Sequence, residues 1–464
     1  SFADRGNHTK AMLDNADFVG ILVALQTSTV ARHAHHAVLV AYMELSARYI
    51  SSLARTRSHL ECVLPPLLSA MCGFIGHPRK QLKGRACYLL LRMCRACGAS
   101  LGPYAGTLLT GLQPLLHIPS LTVASFGCKP AIQAMLAACA ASPESELAAE
   151  REHDAASQIE EALTVHEGLM HHGLAFDDQL QLYELVGTIV WAPWMDAVPE
   201  QQRSCTAAIV NPIFSQMETH VARCDAEPLL PGMCIARCLS ALCSFSKGLG
   251  TREASSEVAL ALFGTVLERT HAALAAMPTD AQVRRRAMTL LHRMTVSLGE
   301  RLLAHPSLPA MMGFLVLTQA RGPSSVVSLD TISTTQLLNQ LISSFCAKLA
   351  PLVDEMFVPA MQMVLRVQTT VADAVDAKLL RKLYFQLLHN LLSSELSTVL
   401  LSSRNLQHLP SVLDSIVHGC LEVPTQSRTV SKLCFTLLRA VAQAWFPPAS
   451  GGATTATAAA AVLA

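Results

Sequence analysis

Charge is what this chain has least of. Asp, Glu, Lys and Arg make up 15% of its 464 residues, against about 25% in an average soluble protein. Few side chains are left for general acid–base work. There is no G-x-x-x-x-G-K and no G-x-G-x-x-G, so the common loops that cradle a nucleotide phosphate are missing. No enzyme is expected, no catalytic residue is assigned and no cofactor is implied. Aromatics are scarce as well, at 5%. Runs of alternating apolar and polar residues are missing, which argues against strands.

Acid is absent over one long segment. From Cys62 to Pro143 there is no Asp or Glu, while Arg79, Lys80, Lys83, Arg85, Arg92, Arg95 and Lys129 give it a charge of about +7. Glu144 to Asp178 then carries ten carboxylates against Arg151 alone. The whole-chain net charge of +1 hides this split. Such asymmetry bears on partners rather than on fold, and the basic half suits a polyanion.

What fills the chain is Leu, Ala, Val, Met and Cys, and 51% of residues are hydrophobic. Leu, Ala and Met favour helix. Apolar residues recur at i, i+3, i+4 and i+7. The spacing predicts helices near 11–25, 34–53, 59–75, 79–97, 103–117, 128–141, 156–171, 176–191, 199–221, 228–247, 256–276, 280–303, 307–319, 333–348, 351–367, 370–396, 406–421 and 425–445. Pro, Gly and Ser punctuate them. Pairs repeating every ~40–47 residues fit HEAT or armadillo arrays. The expected fold class is therefore all-α, a HEAT/armadillo-like α-solenoid of antiparallel helix pairs; a non-repetitive all-α domain is the alternative. The expected organisation is helical repeats over 1–143 with the basic segment 62–143, an acidic insertion over 144–175, repeats again over 176–446, and a low-complexity disordered tail over 447–464.

A mean hydropathy of +0.36 raises the membrane question. The longest stretch free of Asp, Glu, Lys and Arg, Ala96 to Cys128, is broken by Gly98, Gly102, Pro103, Gly106, Gly111, Pro114 and Pro119. It reads as helices with turns rather than as a span of ~20 apolar residues, and no membrane partner is expected. Fifteen cysteines lie in helical stretches with no secretory signal before them, which reads as reduced thiols in cytosol or nucleus. The chain opens on Ser1 and is helical in pattern by Met12, as expected of a fragment or processed product.

On the helix from Arg79 to Cys97, at 100° per residue, Leu82, Ala86, Leu89, Leu90, Met93 and Cys94 share one side. Arg85, Tyr88, Arg92 and Arg95 fall opposite, within about 80° of one another. Arg meets phosphate bidentately, and Tyr adds a hydrogen bond or a stacking face. Candidate nucleic-acid-binding residues are therefore Arg79, Lys80, Lys83, Arg85, Tyr88, Arg92 and Arg95. A second basic cluster follows Arg284, with Arg285 beside His292 in one row and Arg286 and Arg293 sharing a face seven apart. The bland reading of both is a solvated helix face. Metal is not expected. Cys94 and Cys97 form one CxxC without a second pair at zinc spacing. Cys234, Cys238 and Cys243 fit a helix seam. Neither His33, His35 and His36 nor His171 and His172 complete a ligand set.

Six segments in register carry a likeness. They are Tyr42-x-Glu44 with Arg48-Tyr49; Lys83 through Leu89 with Arg92; Asp177-Asp178-Gln179-Leu180-Gln181-Leu182-Tyr183-Glu184; Leu291-His292-Arg293-Met294; Leu380-Arg381-Lys382-Leu383-Tyr384-Phe385; and Lys432-Leu433-Cys434-Phe435 through Trp445. In these the chain resembles the exportin-T family, the tRNA exportins of the importin-β superfamily, in its later part. Residues 144–167 show no counterpart there, and Phe245 to Leu249 is shorter than the family's basic segment.

The resemblance implies a HEAT-repeat receptor that wraps mature tRNA together with the Ran GTPase in its GTP form. Such a receptor passes nuclear pore proteins and releases cargo in the cytoplasm. The Ran site is expected mainly upstream of this sequence. The rival reading is a HEAT-repeat carrier or scaffold for protein cargo.

Overall fold

The computed structural model describes residues 16–53, 57–119, 174–224, 229–250, 256–321, 327–370, 374–421 and 424–445. Among the described residues every regular element is helical. The longer helices are α1 (Ala16–Thr27), α2 (His36–Leu53), α3 (Arg57–Ile75), α4 (Lys80–Cys97), α5 (Ala105–Leu112), α6 (Phe176–Val190), α7 (Pro199–Val221) and α8 (Leu229–Ser246). They continue as α9 (Glu257–Ala276), α10 (Ala281–Leu298), α11 (Ser307–Arg321), α12 (Val327–Phe345), α13 (Ala350–Thr370), α14 (Ala374–Ser393), α15 (Leu409–Leu421) and α16 (Pro424–Trp445). The helices expected at 128–141 and 156–171, the acidic stretch up to residue 173, Lys129 and the tail 447–464 lie outside the described residues.

Among the described residues the chain forms two compact units, one drawn from 16–119, 174–222 and 233–262 and the other from 223–232 and 263–445. In the first unit α2, α4 and α6 pack in succession, α1 packs on α3, and α3 bridges α2 and α4. Contacts advance in step along the helices: His36 meets Arg79 and Glu44 meets Arg85, then Asp178 lies over Gly84 and Glu184 meets Arg95. Helices that contact in rising register are parallel, so each helix stacks on its next-but-one neighbour while the intervening one forms a second layer. That is the geometry of stacked helical pairs.

The second unit repeats the scheme. There α10, α12, α14 and α16 stack in order, and α11 packs on α13. Arg284 and Arg285 meet Asp330, and His292 meets Gln340. Ile332 packs on Leu380, and Asn339 on Asn390.

Local chemistry sets the helix limits. Asp280 caps α10, its carboxylate accepting the Val283 N–H at 2.8 Å, a cap that contributes about 1 kcal/mol. Gly98 ends α4 at φ 50° and Gly299 ends α10 at φ 53°, a left-handed stop that glycine takes without strain. The single helix expected over 103–117 is instead 3-10 turn, α5 and 3-10 turn, because Pro103 and Pro114 remove backbone donors there. The helix expected at 333–348 starts earlier, at Val327.

One described helix, Glu257–Ala276, is long and apolar enough to cross a bilayer by length and composition. Half of its apolar window is buried within the protein, and soluble core helices pass the same test.

Candidate nucleic-acid interface

α4 carries the basic stripe, and its burial follows the apolar pattern. Leu82, Ala86, Leu89, Leu90, Met93 and Cys94 are all buried. Each buried Leu contributes roughly 1.5–3 kcal/mol. Cys87 and Leu91 are buried too, because α4 is enclosed by α2, α3 and α6. That enclosure also covers Lys83, 6% exposed. Lys83, a member of the basic set by sequence, is therefore not part of an open face.

The remaining stripe is exposed along one edge. Tyr88 is an exposed ring with the Arg85 guanidinium 4.9 Å from its centroid and that of Arg92 at 5.7 Å. Cation–π contacts of this kind contribute about 0.5–1 kcal/mol at an exposed site. They hold two guanidinium groups against one aromatic ring. Arg79 and Lys80 stand exposed at the helix start.

Acid is absent from this segment in sequence but not in space. Glu44 of α2 pairs with Arg85, and Glu184 of α6 pairs with Arg95. Asp178 of α6 lies against Gly84, where a Cβ would come within 2.7 Å of its carboxylate oxygen. Burial, with Asp177 beside it, raises the Asp178 carboxyl above its usual range, and Lys80 pulls the other way. Arg79 Nη1 lies 2.7 Å from His36 Nδ1. The inference from the acid-free run is thereby corrected: α4 is laced to α2 and α6 by partners distant in sequence. Arg92 alone of the stripe's arginines meets neither a carboxylate nor a histidine among the described residues.

The second cluster is mostly structural. Asp330, fully buried, accepts from Arg284 Nη2 at 2.7 Å and from Arg285 Nε at 2.6 Å. Arg284 also donates to the Pro278 carbonyl at 2.9 Å. Arg285, 29% exposed, is thus tied to a buried carboxylate, and Arg293 is half-buried with its Nε closed off from solvent. Arg286 is exposed.

Sequence reasoning missed Glu44, Glu184, Asp178 and Asp330. Glu44 and Glu184 each stand in a segment singled out for its likeness, but nothing in the spacing says that they converge on α4. Gly98-Ala99-Ser100-Leu101-Gly102 matches the G-x-S-x-G word of a nucleophile elbow. It is a 3-10 turn between two helices, not the strand-to-helix turn that exposes a nucleophile. Among the described residues no three His, Cys, Asp or Glu side chains gather as a metal site. Burial pushes the Cys97 thiol up to about 12 and holds Cys87 and Cys94 well above the ordinary thiol range, which suits core thiols rather than ligands or nucleophiles.

Phe245 to Leu249 is folded tightly onto α6. The turn Lys247–Leu249 packs there, and a Cβ on either Gly187 or Gly248 would collide with backbone of the facing segment. Lys247 remains exposed.

The exportin-T family profile matches residues 6–125 and 144–463. The unmatched internal stretch is thus 126–143, and the acidic 144–167, expected to lack a counterpart, falls within the match. An Exportin-T of Aspergillus niger is 26% identical over 461 residues, covering 95% of this chain and 40% of that protein. An Exportin-T of Neosartorya fischeri is 26% identical over 444 residues, covering 93% and 38%. The chain therefore spans about two fifths of the length of the curated relatives it matches. A solved importin 13 structure in its cytosolic state aligns at 11% identity over 94% of this chain and 57% of that one. Its TM-score of 0.33 is too low for the overlap to support anything further.

Proposed function

This chain belongs to the exportin-T family, and from that premise we propose that it is part of a nuclear export receptor for tRNA, binding mature tRNA through the exposed edge of α4. The whole receptor in this reading binds tRNA cooperatively with Ran-GTP, passes the nuclear pore and shuttles between nucleus and cytoplasm. It performs no catalysis.

The observation that carries the RNA contact is the Arg85–Tyr88–Arg92 stack. Two guanidinium groups and a ring on one exposed helix edge offer bidentate phosphate contacts and a stacking face. tRNA is largely A-form, with a deep major groove that side chains do not read. A carrier of many tRNAs therefore needs phosphate, ribose and shape contacts, which α4 can supply. Arg79 and Lys80 extend the edge, and exposed Arg286 of α10 is a further phosphate contact in this reading. Cooperativity with Ran-GTP requires that both ligands favour the same arrangement of helices, and the coupling is then reciprocal.

Ultraviolet crosslinking of a tRNA transcript to the chain, with and without Ran-GTP, tests the proposal. Crosslinked peptides from residues 79–97 are the expected result. A chain that crosslinks nowhere under either condition, yet retains a protein cargo, contradicts it in favour of the protein carrier.

A further inference from the structure

Resting on that RNA reading, we infer that Glu44 and Glu184 are built-in competitors of the phosphate chain. They occupy Arg85 and Arg95 when RNA is absent, and RNA binding must release them. Two acid-bearing helices flank one basic helix, and each gives one carboxylate to one arginine of the exposed edge. Glu44 reaches Arg85 from α2, and Glu184 reaches Arg95 from α6.

Exposure makes the exchange feasible. The Arg85 and Arg95 side chains are 40% and 48% exposed, so an arriving phosphate can reach them. Glu44 is 36% exposed and Glu184 16%. Ion pairs at such exposure are weak, whereas phosphate offers guanidinium a bidentate partner. The same arginine cannot serve both in full. Arg92, which faces no carboxylate among the described residues, is the cation first available to RNA. Arg85 shares Tyr88 with it and need only rotate away from Glu44.

The exchange has a structural consequence. The two pairs are side-chain fastenings between α2 and α4 and between α4 and α6. A phosphate chain that takes both arginines undoes both fastenings at once. RNA occupancy is thereby linked to how tightly three consecutive stacked helices are held, and the same carboxylates favour cargo release by reclaiming the arginines. Affinity is set by this competition as well as by the count of basic residues.

The test measures binding of an in vitro transcribed tRNA to the folded chain by fluorescence anisotropy. Variants are Glu44→Gln, Glu184→Gln, the double substitution and Arg92→Glu. Arg85→Gln is made alone and with Glu44→Gln. Glu200→Gln is the charge-matched control, since among the described residues Glu200 pairs only with Arg203 of its own helix. Glu44→Gln and Glu184→Gln are each expected to tighten binding about two- to fivefold, the range that exposed pairs imply. The double substitution is expected to reach roughly tenfold, with slower dissociation, and Glu200→Gln is expected to change nothing. In the Arg85→Gln background Glu44→Gln is expected to lose its effect, as a direct coupling requires. If Arg92→Glu weakens binding while the glutamine variants leave it unchanged or weaken it, the competition is wrong and the RNA face stands. Tightening that persists with Arg85→Gln marks general charge relief and also overturns it. If Arg92→Glu and the glutamine variants are all without effect, α4 does not meet RNA and the reading beneath the inference falls as well.

Discussion

Arg85 on α4 is ion-paired with Glu44 on α2, 41 residues earlier in the chain. The pair fastens one stacked helix to the next and also ties down a guanidinium group on the exposed edge. Its counterpart between Arg95 and Glu184 does the same on the other side of α4. A helix that is uniformly basic in sequence thus presents alternating engaged and open cations.

Asp330 makes the strongest stability prediction. It is fully buried and held by Arg284 and Arg285. Asp330→Asn takes from the Arg284 side chain, 9% exposed, the carboxylate with which it is ion-paired. A loss of about 3–5 kcal/mol is expected, the usual result of breaking a buried pair from one side. Chemical denaturation of the variant against wild type checks it.

The glycine contact between α6 and the turn after α8 gives a sharper steric prediction. Gly187→Ala or Gly248→Ala places a Cβ against backbone that cannot move aside cheaply. Both are expected to lower the thermal midpoint. Gly73→Ala in α3, whose Cβ meets nothing within 4 Å, is expected to raise stability by about 0.5–1 kcal/mol through helix propensity.

The all-α class and most helix positions were legible because helical periodicity is a local property of the chain. The apolar face of α4 was legible for the same reason: Leu82, Ala86 and Leu89 repeat at helical spacing. What stayed hidden was everything that depends on which helix lies beside which. Spacing within α4 says that Arg85 faces outward, but only the stacking of α2 on α4 brings Glu44 to it. Lys83 was misplaced because three neighbours enclose α4, which widens its buried face beyond the apolar stripe. The Arg285 pairing is hidden in the same way, because its partner, Asp330, opens a helix two elements later.

Asp178 predicts a pH effect. Its carboxyl is raised by burial and by Asp177, so the folded chain holds that proton more tightly than the unfolded chain does. Its protonation then contributes stability that is full below the ordinary value of 3.8 and is lost as pH rises through the raised folded value. Asp178→Asn removes the charged form. It is expected to be more stable than wild type at pH 7, with the gap closing as pH falls toward 4. Thermal midpoints measured across that range decide it.

The thiols divide by burial. Cys62 and Cys346 are exposed, whereas Cys87, Cys94 and Cys97 are buried with their thiols held in the protonated form. Iodoacetamide at pH 8 is expected to label Cys62 and Cys346 rapidly and the three α4 cysteines only on unfolding. Peptide mass spectrometry against time checks the order.

The account's central claim is that the open edge of α4 meets the phosphates of tRNA. The most direct measurement is tRNA affinity against salt concentration for wild type and Arg92→Gln. Loss of one phosphate contact is expected to weaken binding and to flatten the slope of log affinity on log salt by about 0.7–0.9. An affinity and a slope both unchanged by Arg92→Gln would contradict the claim and leave the stripe a solvated helix face.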